Sequence, residues 1–154
     1  MASDLPLIDV FDTVIEASAP AVYEALTRHL GRSLGTAGTR VACGILGCAH
    51  RGASLTTPPV EGQEVSGFVV AEARAPVRLV LEGRHRFASY RLSFTVDPLA
   101  HNRVQLSART EALFPGFTGT LYRALVIGSG GHEIVARRML AAVAGRAERM
   151  ENGR

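Results

Sequence analysis

The sequence predicts an α+β fold in which a twisted antiparallel sheet packs on a long C-terminal helix. Two observations carry this. Between residues 64 and 114 apolar and polar residues alternate in strand rhythm, broken by turn residues, and from Phe117 to Ala147 apolar residues recur in steps of three and four. With 154 residues, 47% of them hydrophobic, the chain suits one domain spanning 1–154, ordered over about 7–148 and loose at 1–6 and 150–154.

Residues 7–17 (LIDVFDTVIEA) mix β-branched and acidic positions, which predicts a strand with one wet face. Ser18 is placed to cap a helix, Pro20 fits its first turn, and Val22, Tyr23, Leu26 and Leu30 share a helical face, so the first helix is expected over 20–30, ending near Gly31. A short second helix is expected over 38–49, although Gly44 and Gly47 interrupt its spacing, and TTPPVEG after it reads as loop.

Strands follow at 65–74, 77–82, 85–97 and 103–114. The first two are separated by Ala75-Pro76, the next pair by a Gly83-Arg84 turn, and the last pair by a loop over 98–102. The alternation of Ala88, Tyr90, Leu92, Phe94 and Val96 with polar neighbours puts even positions inward, and Val104, Leu106, Ala108, Thr110 and Ala112 agree. A Gly83-Arg84 turn would pair Leu79 with Ala88 and Leu81 with Arg86. A second hairpin pairing Val96 with Val104 would set Tyr90 opposite Thr110, and both hairpins then show one apolar surface. In the terminal helix Leu121, Leu125, Gly128, His132, Val135, Met139 and Val143 form a stripe, which the GSGG of 128–131 is expected to bend or loosen.

Composition excludes several functions. All seventeen basic residues are arginine, so Schiff-base chemistry, pyridoxal phosphate attachment and a P-loop lysine are ruled out. The net charge of +3 is scattered rather than gathered on a face, which argues against nucleic acid. No stretch approaches the roughly 20 apolar residues of a membrane helix, no signal region opens the chain, and a cytoplasmic location is expected. Cys43 and Cys48, five apart, would point to different faces of a helix, and without histidines at metal spacing they read as small buried apolar residues. No metal and no cofactor is expected. GHEIVARR lacks the second histidine of a zinc protease helix, and no serine sits in a nucleophile elbow.

The strand leading into SAPAVYEAL, the hairpins GFVVAEARAPVRLVLEGRHRFASYRLSFTVDP and the closing FPGFTGTLYRALVIGSGGHEIVARRML together cover about three quarters of the chain. In order and texture they resemble the START-like superfamily, also called SRPBCC, with its Bet v 1-like helix-grip fold: a curved antiparallel sheet around a long C-terminal helix, with two short helices after the first strand. The resemblance implies a cavity between sheet and terminal helix that takes lipids, polyketides or other hydrophobic molecules, and in some members cyclase or aromatase chemistry.

Inward polar groups are the candidates for orienting such a ligand. His132 lies on the apolar stripe beside glycines, either open to a cavity or hydrogen-bonded in the core. Arg86 falls on the inward face and needs a carboxylate such as Glu72, a ligand anion, or escape to solvent at the sheet's end. Tyr90, Thr110, Tyr122, Leu92, Phe94 and Gly128 complete the expected lining, while His29, His50, His85 and His101 are expected in solvent. Three functions stay open: a carrier for a hydrophobic small molecule, as monomer or homodimer; a cyclase or dehydratase using His132 as acid or base, with Tyr90 or Arg86 stabilising an enolate; and an interaction domain with a filled core.

Overall fold

The structure is a computed structural model that describes residues 4–52 and 54–153; of the expected loose ends, 1–3 and 154 lie outside the described residues. Six strands form one antiparallel sheet: β1 (Leu7–Ile15), β2 (Glu64–Val65), β3 (Phe68–Arg74), β4 (Arg78–His85), β5 (Ala88–Leu99) and β6 (Arg103–Leu113), in the order β1-β6-β5-β4-β3-β2. Four helices complete it: α1 (Ala19–Leu34) and α2 (Ala37–Leu46) after β1, then α3 (Gly116–Val126) and the 22-residue α4 (Gly131–Asn152).

Ser18 caps α1 with its backbone only, and its hydroxyl donates instead to Glu151 Oε2 (3.1 Å), tying the last turn of α4 to the start of α1. Residues 150–152 are therefore helical rather than loose, held also by Asn102 Nδ2 donating to Glu151 Oε1 (3.1 Å). Gly31 does not end α1. The helix runs on to Leu34 because Leu30 and Leu34 pack against the core before Gly35 caps it.

The sheet follows the expected alternation, with a corrected register. β4 continues through Gly83 and Arg84, and the turn is Arg86-Phe87, so His85 pairs with Ala88, Leu81 with Leu92 and Leu79 with Phe94. Gly83 is a strand residue because Tyr90 lies directly across from it and occupies the space a side chain would need. In the second hairpin β5 runs through Pro98 to Leu99. The turn is carried by His101 and Asn102 at positive φ, and Val96 meets Leu106 while Tyr90 meets Ala112 rather than Thr110. Both corrections are even-numbered slips, which leave the side chains on their expected faces except at the moved turn itself, where His85 and Arg86 change places.

The inner face holds the core. Leu79, Leu81, Phe94, Val96, Val104 and Leu106 of the sheet are buried against Val22, Leu26 and Leu30 of α1 and Leu140, Val143 and Ala147 of α4. The outer face is polar, crossed by ion pairs of Arg91 with Glu82 (2.7 Å) and of Arg78 with Glu72 (2.9 Å).

The terminal helix is interrupted at the expected glycines, which go beyond bending it and divide it in two. Ile127 to Ser129 form a turn and Gly130 adopts φ 76°, so α4 starts afresh at Gly131. The expected stripe divides with it: Met139 and Val143 face the core, whereas Leu121, Leu125 and Val135 are exposed.

Candidate functional site

The break matters because it separates the helix that fills the core from the one that covers a cavity. α4 beyond its first turns packs into the core. α3 and α2 instead cover the half of the sheet near Tyr90, and α3 buries only Gly119 while α2 buries only Cys43. Between them lies a cavity of about 340 Å³. The inner face of β5 and β6 forms one wall with Ala88, Tyr90, Leu92, Thr110 and Ala112. Cys43 and Leu46 come from α2, Tyr122 and Val126 from α3, Phe68 from β3 and His85 from β4. No arginine, aspartate or glutamate lines it among the described residues.

His132 sits in the first turn of α4 at the edge of this space. Its Nε2 is 3.0 Å from Asp9 Oδ2 and 3.3 Å from Thr110 Oγ1. β1 and β6 are sheet neighbours, and Asp9 pairs with Thr110, so the two strands present both partners to the same imidazole nitrogen. Nδ1 is left to face other partners. The Asp9 Oδ1 atom is buried without a hydrogen-bond partner among the described residues.

Tyr90 is fixed more firmly than a free hydroxyl would be. Its OH donates to the Gly67 carbonyl (2.8 Å), its ring meets Phe68 edge to face at 5.1 Å, and burial pushes its pKa well above the ordinary phenol value. Tyr122 stacks on Phe87 (5.5 Å between centroids) and meets His85 edge to face (5.1 Å). The His85 Nδ1 accepts from the Phe87 N–H (3.1 Å), which leaves Nε2–H as the donor of the neutral ring, and burial lowers its pKa.

Of the expected lining, His132, Tyr90, Thr110, Tyr122 and Leu92 do border the cavity. Three do not. Phe94 is 1% exposed inside the core, Gly128 lies in the exposed turn between α3 and α4, and Arg86 is exposed in the β4–β5 turn. Arg86 fails because the hairpin turns three residues later than expected, which carries it off the inward face to the sheet's end. Glu72, once a potential partner for it, is held by Arg78 and Arg74.

Sequence reasoning missed Asp9, His85 and the cysteine pair. Asp9 reads as one acid of a wet strand face, and nothing local links it to His132 over more than a hundred residues. His85 was expected in solvent because β4 was ended too early. The cysteines left a local signal. Gly47 adopts φ 70°, the left-handed cap that turns the chain back, so the Cys48 N–H donates to the Cys43 carbonyl (2.9 Å) and the two side chains meet. Both are buried, as expected, but they share one place instead of pointing apart. Burial first, and the Cys48 thiol second, push the Cys43 pKa up to about 11.

No protein-family model matches the sequence, and no curated protein sequence does. Solved structures do match in fold. A protein from Chromobacterium violaceum superposes with TM-score 0.57 at 14% identity over 91% of this chain and 96% of that one. The Zhui aromatase/cyclase from a Streptomyces species gives 0.55 at 16% identity, over 92% and 93%. This chain has the helix-grip fold. A point mutant of norcoclaurine synthase from Thalictrum flavum, in complex with a transition state analogue, shares it at TM-score 0.53 and 13% identity, over 99% and 98%. Identities this low speak for the helix-grip arrangement of sheet and helices, and the chemistry must be argued from the side chains described above.

Proposed function

We propose that residues 1–154 act as one START-like domain that holds a compact, largely apolar and uncharged molecule in the cavity under α2 and α3. The observation that carries this reading is the lining itself: aromatic and aliphatic side chains with a few hydroxyl, thiol and imidazole groups, and no charged arginine or carboxylate. A volume of about 340 Å³ stands at the low end of the roughly 300–1,000 Å³ of small-molecule sites, which favours a ring-sized ligand over a long acyl chain. Loss of Arg86 from the lining removes the one group that would have favoured a strong anion.

The test is native mass spectrometry of the purified protein, followed by organic extraction and a thermal-shift panel of hydrophobic compounds. A co-purified or stabilising apolar molecule supports the carrier. An empty protein that no compound stabilises moves the reading to an interaction domain.

A second reading, an enzyme of the cyclase or dehydratase kind, is favoured by one observation: His132 lies within reach of both Asp9 and Thr110, an orienting pair beside the cavity. In this reading Nδ1 exchanges the substrate proton, Asp9 and Thr110 hold the ring, and the His85 Nε2–H rather than Tyr90, whose proton is given to Gly67, meets the developing oxyanion. Deuterium exchange at the carbon between the carbonyls of a cyclic β-diketone, accelerated by the protein and lost in His132→Ala, would support it. Exchange at the rate of buffer would remove it.

A further inference from the structure

Cys43 and Cys48 occupy the wall of the cavity as a matched pair. Their surroundings leave room for both sulfurs. Gly67, at φ 85°, faces them, and a Cβ there would lie 3.2 Å from Cys43 Sγ, 3.9 Å from Cys48 Sγ and 3.6 Å from the Tyr90 hydroxyl. Three groups thus converge on the space that glycine leaves. The backbone bond from Cys48 N–H to the Cys43 carbonyl (2.9 Å) ties the two residues together, which keeps their Cα atoms within the roughly 4.4–6.8 Å that a disulfide spans. Both thiols also line the cavity, so a small solute inside it reaches them although both are buried from bulk solvent.

We propose that Cys43 and Cys48 are a redox-active pair that a peroxide closes into an intramolecular disulfide in the cavity wall. The step balances without any further reactant. Cys48, as its thiolate, attacks a peroxide oxygen, giving a sulfenic acid and, once the leaving hydroxide is protonated, one water, while burial keeps the Cys43 thiol protonated until the second step. The second sulfur then attacks the sulfenic sulfur, the S–S bond forms, and its proton leaves with the hydroxyl as a second water. The peroxide is reduced by two electrons and the two thiols are oxidised by two. Reduction by an external thiol reverses the change.

The experiment treats the wild-type protein with hydrogen peroxide at about pH 8, in buffer and in denaturant, then quenches, alkylates under denaturing conditions, and digests with trypsin. Both cysteines fall in the single peptide VACGILGCAHR, bounded by Arg40 and Arg51. The expected result is that peptide unalkylated and about 2 Da light, in a monomeric chain, formed at least about tenfold faster in the native protein than in denaturant. Dithiothreitol should restore two alkylatable thiols. Equal or slower closure in the native protein, two thiols still alkylated after peroxide, or disulfides only between chains would each overturn the proposal. Cys43→Ser, treated alike, should give no light peptide and leave Cys48 as a sulfenic acid that dimedone traps.

Discussion

His132 Nε2 stands 3.0 Å from Asp9 Oδ2, joining the first strand to the first turn of the last helix across nearly the whole chain. The contact is partly exposed, so its worth is modest. A double-mutant cycle of Asp9→Asn and His132→Gln, read by urea unfolding, should give a coupling of about 0.5–1.5 kcal/mol. His132→Ala should weaken binding of a cavity ligand or abolish turnover with little loss of stability. A loss of about 1–3 kcal/mol with binding intact would make the histidine a core hydrogen-bond partner instead.

Filling the cavity should separate binding from folding. Ala112 is buried on the inner face of β6, opposite Tyr90, and borders the empty space. Ala112→Leu should abolish binding of any compound that stabilises the wild type, while its own stability stays level or rises by about 0.5–2 kcal/mol. Thermal-shift titration of both proteins checks this.

Phe94 offers the opposite contrast. It is sealed in the core rather than lining the cavity, so Phe94→Ala should cost about 3–5 kcal/mol. Ligand affinity, measured on the fraction still folded, should hardly change.

Gly83 carries a strict steric demand. A methyl group there would meet the Tyr90 ring and the Gly67 carbonyl, the acceptor of the Tyr90 hydroxyl. Gly83→Ala should lower stability by about 1–3 kcal/mol and disturb the cavity wall, visible in the near-ultraviolet signal of Tyr90.

Much of this arrangement was legible before the structure, for reasons that differ by element. Face assignment survived two wrong turns because a strand's side chains repeat every second residue, and an error of even length returns them to the same side. Turn position did not survive: Gly83-Arg84 has the composition of a hairpin turn, and only the Tyr90 ring lying across Gly83 shows why the strand continues. Of the site, the inward-facing Tyr90, Leu92 and Thr110 followed from alternation, and His132 from helical spacing. Asp9 and His85 did not, since the first depends on which strands become neighbours and the second on where one strand ends.

Acidification should destabilise the fold in a defined window. Burial lowers the pKa of His85, and burial, then Arg146 and Arg32, lower that of His29, so below the unfolded value of 6.5 the unfolded chain binds more protons than the native one. Their contribution is complete above pH 6.5 and is lost as the pH falls through the lowered native values. The melting temperature should therefore fall between about pH 7.5 and 5.5, and the slope should flatten in His85→Leu.

The break at Gly130 has an evolutionary consequence. α1 buries seven of its residues, whereas α2 and α3 bury one each, Cys43 and Gly119. Substitutions that alter what fits beneath α2 and α3 thus fall where they cost the fold little, and those that would unfold it fall on α1, α4 and the paired strands. Lineages sharing this scaffold are free to drift in ligand preference by exchanging residues on two helices, while selection for foldability holds the rest of the chain still.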